Sequence, residues 1–291
     1  MKLIKIIFTI IISVYLFYGF DFKKINLDIV SINTILYSSF FLFLGQIVLS
    51  VRFKYIIDSK FLPALETIIV SNALNMILPA RLGEAIKALY LKKYYGFEYK
   101  ISIAAVFVER FFDLIMLFFI VLYWMFVYLE NPYIKKIAIV LFLLIIFVLI
   151  FFNSFFIFKI LKKLPGNFFE EFYLSVNLML KKTYILMFWS FVLWCIYLLS
   201  YVVFFNFLNF KQILEIFILS TIGLMIPLLP AGLGTFEGVV VFYLTKYGIS
   251  KENALILAGT YHFILIAVDM IMFYFFLLFK DLSFNDIKEL K

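Results

Sequence analysis

Four long stretches of the chain carry no charged residue: Ile6–Phe20, Ile29–Val51, Ile137–Phe158 and Thr183–Phe210. An ionised side chain at mid-bilayer costs at least a few kcal/mol, so each of these runs predicts a membrane crossing. Two further apolar stretches predict crossings that carry charge. Ile101–Leu129 contains Glu109, Arg110 and Asp113, and Asn253–Phe279 contains His262 and Asp269. The pattern therefore predicts an all-α polytopic membrane protein with about six full spans. Lys2 and Lys5 ahead of Ile6–Phe20 give the N-terminus a secretory look, but Asp21-Phe22-Lys23 follows in place of small residues, which predicts an uncleaved first span.

Two segments, Leu62–Tyr95 and Lys211–Tyr247, are apolar but broken in the middle. The first is interrupted by Pro79-Ala-Arg-Leu-Gly83 and the second by Pro227-Leu-Leu-Pro230-Ala-Gly-Leu-Gly234. Proline removes a backbone donor and glycine frees the backbone, so a helix stops at each. The arms that follow, Glu84–Tyr95 and Phe236–Tyr247, give roughly 18 Å of helix against a hydrocarbon core of roughly 30 Å. Each segment is expected to form a re-entrant helical hairpin, whose unpaired backbone must be buried in protein or line a wet cavity.

Composition agrees with this reading and excludes others. Of 291 residues 66% are apolar and 15% charged, whereas a soluble domain is about half apolar and about a quarter charged. About ten crossings would fit at most, which leaves no stretch for an appended soluble domain. The single cysteine, Cys195, rules out intramolecular disulfides and multi-thiolate metal sites, and the single histidine, His262, rules out His-clustered ones. No metal, nucleotide-binding loop or other cofactor is expected.

The net charge of +8 is chiefly a topology signal. Sixteen lysines and arginines fall on the side of the N-terminus and seven on the other. The positive-inside rule then places both termini in the cytoplasm of a cell inner membrane, with no nucleic-acid partner to invoke. Pro165–Leu180, which carries Glu170 and Glu171 between two lysine groups, is expected to lie in the cytoplasmic interface.

The two broken segments resemble each other. Pro79-Ala-Arg-Leu-Gly83 parallels Pro230-Ala-Gly-Leu-Gly234, and Tyr95-Gly96 parallels Tyr247-Gly248 one residue further on. Arg110 and His262 each lie fourteen residues beyond that second glycine. Three full crossings separate the hairpins, so one enters from each face. This is the inverted repeat of many secondary transporters, with halves at about 29–129 and 183–280 joined by 130–182 in one membrane domain.

Charges at membrane depth mark the candidate site. Arg81 sits in the first break, with Glu84 and Lys87 on successive turns after it. Glu109, Arg110 and Asp113 share one sector of the next span. The chain has three arginines (Arg52, Arg81, Arg110) among 26 basic residues, so arginine at two intramembrane positions favours a bidentate contact with phosphate or carboxylate. The same acids and arginines could instead simply pair with one another in the core. The second half offers Glu237, His262 and Asp269, and Asn72 and Asn75 on the arm entering the first break add amides. The break residues themselves are Pro79, Gly83, Pro230, Gly232 and Gly234.

Asn75-x-x-x-Pro79-x-Arg81-x-Gly83-Glu84, Glu109-Arg110-x-x-Asp113 and Pro230-x-Gly232-x-Gly234-x-x-Glu237 resemble the membrane domain of lysylphosphatidylglycerol synthases and the free-standing flippase-like proteins of the UPF0104 type. The resemblance runs from about Leu36 to Phe279. It implies movement of a charged lipid between leaflets, whereas the soluble aminoacyl-transferase domain of the synthases has no counterpart here. His262 stands where such proteins often carry arginine. The expected function is translocation of an anionic or phosphate-bearing lipid, with Arg81 and Arg110 binding the headgroup at a midplane cavity between the hairpins, their charge partly balanced by Glu84, Glu109 and Asp113. Alternatives are a membrane-embedded glycosyl- or phosphoryl-transferase using those acids on a lipid-linked substrate, or an accessory subunit beside an envelope glycosyltransferase.

Overall fold

A computed structural model describes residues 29–78, 81–129, 168–225 and 229–280, together with residues 16, 21, 132, 136, 139 and 140. Nearly all of the expected crossings Ile137–Phe158 and Ile6–Phe20, and the break prolines Pro79 and Pro227, lie outside the described residues. Among the described residues all regular structure is helical. The helices are α1 (Ile32–Ile57), α2 (Phe61–Ile77), α3 (Gly83–Tyr95), α4 (Tyr99–Tyr128), α5 (Phe168–Leu180), α6 (Thr183–Phe204), α7 (Phe210–Met225), α8 (Thr235–Lys246) and α9 (Lys251–Lys280). Four of them, α1, α4, α6 and α9, are long and apolar enough to cross a membrane.

Local sequence explains where these helices begin and end. Ser31 Oγ accepts from the Thr34 backbone N–H at 3.2 Å and opens α1. Asn209 and Gln212 each accept from the other's backbone N–H, at 3.0 and 3.1 Å, a reciprocal cap that starts α7, while α6 already ends at Phe204, short of the end of the apolar run at Phe210. Helices α3 and α8 both stop at a glycine in the left-handed region, Gly96 at φ 70° and Gly248 at φ 90°. At Gly96 one bond runs back to the Lys92 carbonyl. After α8 the Gly248 and Ile249 N–H groups reach the carbonyls of Thr245 and Leu244, a Schellman close.

The described chain folds as two compact units. One gathers residues within 1–48, 68–86 and 193–291, the other residues within 49–67 and 87–192. In the first, α8 packs on α7 and α9. Its core is aromatic: Tyr261 is fully buried against Tyr201, Phe204 and Phe205, and its hydroxyl bonds Ser200. In the second, α5 packs on α4 through buried Tyr173, Val176 and Met179 and a Lys100–Glu171 ion pair. The part of 165–180 that is described is thus an amphipathic helix, as its sequence predicts.

Candidate functional site: two broken helix pairs and their buried charges

The second unit holds a buried ion cluster built from three helices. Lys87 of α3 donates to Glu109 Oε2 of α4 at 2.7 Å, and neither side chain is exposed to solvent. Arg110 bonds Glu109 Oε1 and reaches Asp113 at 3.2 Å, one turn further along α4. Arg52 near the end of α1, also fully buried, donates to Asp113 Oδ1 at 2.7 Å and to Ser190 Oγ of α6 at 3.0 Å. Its Nη2 stands 3.9 Å from Glu109 Oε1. Three cations thus surround two carboxylates, and the Arg52 Nε–H has no hydrogen-bond acceptor among the described residues.

Two expectations change here. Arg52 counts in the charge pattern as a residue of the membrane face, yet it lies inside the network. Helix α1 continues six residues past the charge-free run, to Ile57, and carries Arg52 inward. The buried cations are also not all arginines, since Lys87 is fully buried, with its ammonium 5.1 Å from the Phe53 ring centroid. The preference for arginine over lysine in so lysine-rich a chain would have selected Arg52 as readily as Arg81 and Arg110.

The first break belongs to the other unit. Arg81 has φ 56°, a left-handed conformation that costs a residue with a Cβ about 1–2 kcal/mol. Gly83, which opens α3, is pressed against α2. A Cβ there would collide with the Ser71 carbonyl and the Asn75 side chain. Ser71 Oγ donates to the Gly83 carbonyl at 3.0 Å, and Asn75 Nδ2 reaches Glu84 Oε1 at 3.4 Å. Asn72 donates to Gln46 of α1 at 2.7 Å, so the two amides bond across helices. Glu84 is accordingly placed with Asn75.

The second break, in the same unit, has the same left-handed backbone at the position matching Arg81. Gly232 has φ 78°, with Ala231 at 57° and Gly234 at 81° on either side. Its tip is tied down by α9. His262 Nδ1 lies 2.6 Å from Glu237 Oε1, and its Nε2 lies 3.1 Å from the Ala231 carbonyl oxygen. Glu237 Oε2 in turn accepts from the Gly234 N–H at 2.7 Å. Asp269 is buried two turns further along α9 and takes no part in this contact.

Sequence reasoning overlooked one matching pair of contacts. At the end of each helix pair remote from the break, a buried glutamate on the first arm accepts from a tyrosine closing the second. Glu66 of α2 accepts from Tyr95 and, at 3.3 Å, from Tyr90, while Glu215 of α7 accepts from Tyr247. Both tyrosines immediately precede the glycines that the repeat aligns.

Residues 2–272 match the family described as the lysylphosphatidylglycerol synthase TM region. Over 90 residues the chain is 33% identical to a UPF0104 membrane protein of Methanothermobacter thermautotrophicus, a stretch covering 28% of this chain and 27% of that relative. The chain thus spans about a quarter of the length of the curated relative it matches. No solved structure matches it. Apolar helices of spanning length and a family match over nearly the whole sequence agree: this multi-pass membrane protein belongs to the lysylphosphatidylglycerol synthase TM-region family.

Proposed function

We propose that the protein is a flippase-like translocator that moves an anionic or phosphate-bearing lipid, a phospholipid or a polyprenyl-phosphate-linked lipid, between the leaflets of the cell inner membrane. The observation that carries the reading is the cation-rich cluster of Arg52, Lys87 and Arg110 around Glu109 and Asp113. Fully buried charges are expensive and mark ion and substrate pathways in membranes. Among the described residues neither Nε nor Nη2 of Arg52 has a hydrogen-bond acceptor, and a headgroup oxygen would supply one. No nucleotide site is invoked, and the acids hold the arginines in place between rounds.

In this reading the pairs α2–α3 and α7–α8 are re-entrant hairpins in an inverted repeat, and both termini are cytoplasmic. Arms of 13 and 12 residues, about 20 and 18 Å of helix, favour re-entry over spanning. The test is reconstitution. Purified protein in liposomes is expected to accelerate leaflet exchange of a fluorescent anionic phospholipid or polyprenyl phosphate. Arg52→Lys, which keeps charge but loses the planar fork, should lower the rate at least tenfold without loss of fold. Exchange at the protein-free rate for every such lipid would sink the reading.

A further inference from the structure

The His262 ring lies between two oxygens that ordinarily accept. Nε2 faces the Ala231 carbonyl, which has no proton to give, so a hydrogen bond there requires the hydrogen on Nε2. Nδ1 then faces Glu237 Oε1 at 2.6 Å. A neutral imidazole beside an ionised carboxylate would set two lone pairs against each other at that distance. With its hydrogen on Nε2, the ring can bond Glu237 only if one further proton lies between Nδ1 and Oε1. With it, the pair is neutral overall. Without it, the pair carries a negative charge in a site where the His262 side chain is 2% exposed.

We propose that Glu237 and His262 form a binding site for a single proton, and that its occupancy latches the second helix break. The latch is continuous from ring to backbone. His262 holds the Ala231 carbonyl, and Glu237 holds the Gly234 N–H, on the two sides of Gly232. Ala231 has φ 57°, a conformation that persists only when its surroundings enforce it. Proton loss leaves the ring one N–H for two acceptors, so either the carboxylate or the tip carbonyl loses its bond, and the strained turn is freed.

Among the described residues, no second charged partner is in contact with the ring. Phe236 of α8 packs on it, with centroids 4.7 Å apart. Tyr261 of α9 bonds Ser200 of α6, and Tyr201 of α6 bonds Ser220 of α7. Glu215 of α7 is taken by Tyr247, and Asp269 lies two turns away on α9. A proton is also the ligand that needs no path for a hydrated ion.

Coupling of this proton to lipid movement rests on the translocator reading; the latch itself does not. The chain's single histidine makes the site directly observable. Protein purified through a histidine-free tag and labelled with ring-¹⁵N histidine gives one pair of ring signals in bilayers. Both nitrogens are expected to be protonated at the acid end of a titration between about pH 5 and pH 9, with one proton leaving as pH rises. Amide exchange across residues 229–236 should rise over the same interval. His262→Arg, a permanent cation able to donate to both oxygens, should remove the pH dependence of that exchange. A ring with one unprotonated nitrogen throughout, or tip exchange that ignores pH in the wild type, overturns the proposal. Leaflet exchange absent at every pH, with the titration intact, would fell the translocator reading and leave the proton site standing. Leaflet exchange with the same pH profile in wild type and His262→Arg would disprove the coupling.

Discussion

At the residue scale, the most informative position is Arg81, a cation held in a backbone conformation that glycine adopts without penalty. Its repeat counterpart is Gly232, so the backbone alone asks for glycine at both positions, and only the guanidinium explains the retained strain. Arg81→Gly is therefore expected to keep or raise thermal stability while abolishing leaflet exchange. A variant that exchanges lipid at the wild-type rate would show the side chain to be dispensable. That arginine stands apart was legible in the sequence, because it is rare in a chain that uses lysine almost everywhere. Which of them meet was not. Arg52 and Asp113 are 61 positions apart, and only the folded chain brings them together.

At the scale of elements, runs of apolar residues and their Pro/Gly breaks located all four long helices and both broken pairs. Periodicity does not mark the ends of the arms, which depend on contacts between them. Gly83 fits against α2 because it has no Cβ, and Gly83→Ala is expected to separate the arms and unfold the pair, read as lost thermal stability and raised proteolysis. The two Glu–Tyr ties allow a finer test. Tyr247→Phe leaves Glu215 without its tyrosine donor, whereas Tyr95→Phe leaves Glu66 still bonded to Tyr90. Removing a hydrogen bond to a charged group costs about 1.5–3 kcal/mol, so Tyr247→Phe should lower the melting temperature more than Tyr95→Phe. Equal shifts would show that Tyr90 contributes nothing.

For the whole molecule, the order of helix lengths repeats. Helices α1 to α4 run 26, 17, 13 and 30 residues, and α6 to α9 run 22, 16, 12 and 30. The proposed inversion predicts opposite sidedness at matching points. With Cys195 replaced by serine, a lone cysteine at Glu98→Cys should react with an impermeant maleimide from the cytoplasm, and one at Lys246→Cys from outside. Labelling of both from one face would refute the inverted arrangement. The motif resemblance brought the family within reach of sequence alone, because its short motifs fall at the breaks and on the charged span. The division into two compact units was not legible, since its boundary cuts through α1, α2, α3 and α6 rather than through any linker.

The long separation of Arg52 from Asp113 bears on how the protein is made. Arg52 leaves the ribosome 61 residues before Asp113. At about 5–20 residues per second, this first arginine waits roughly 3–12 seconds for a carboxylate. Meanwhile its burial is opposed by the insertion penalty of a charged side chain, about 2.5–3.5 kcal/mol at a helix centre. Its place only five residues before Ile57 eases the delay, because a long side chain near a helix end can extend to the interface. Helix α1 is therefore expected to enter the bilayer in a shallower register and to sink deeper once α4 arrives with Glu109 and Asp113.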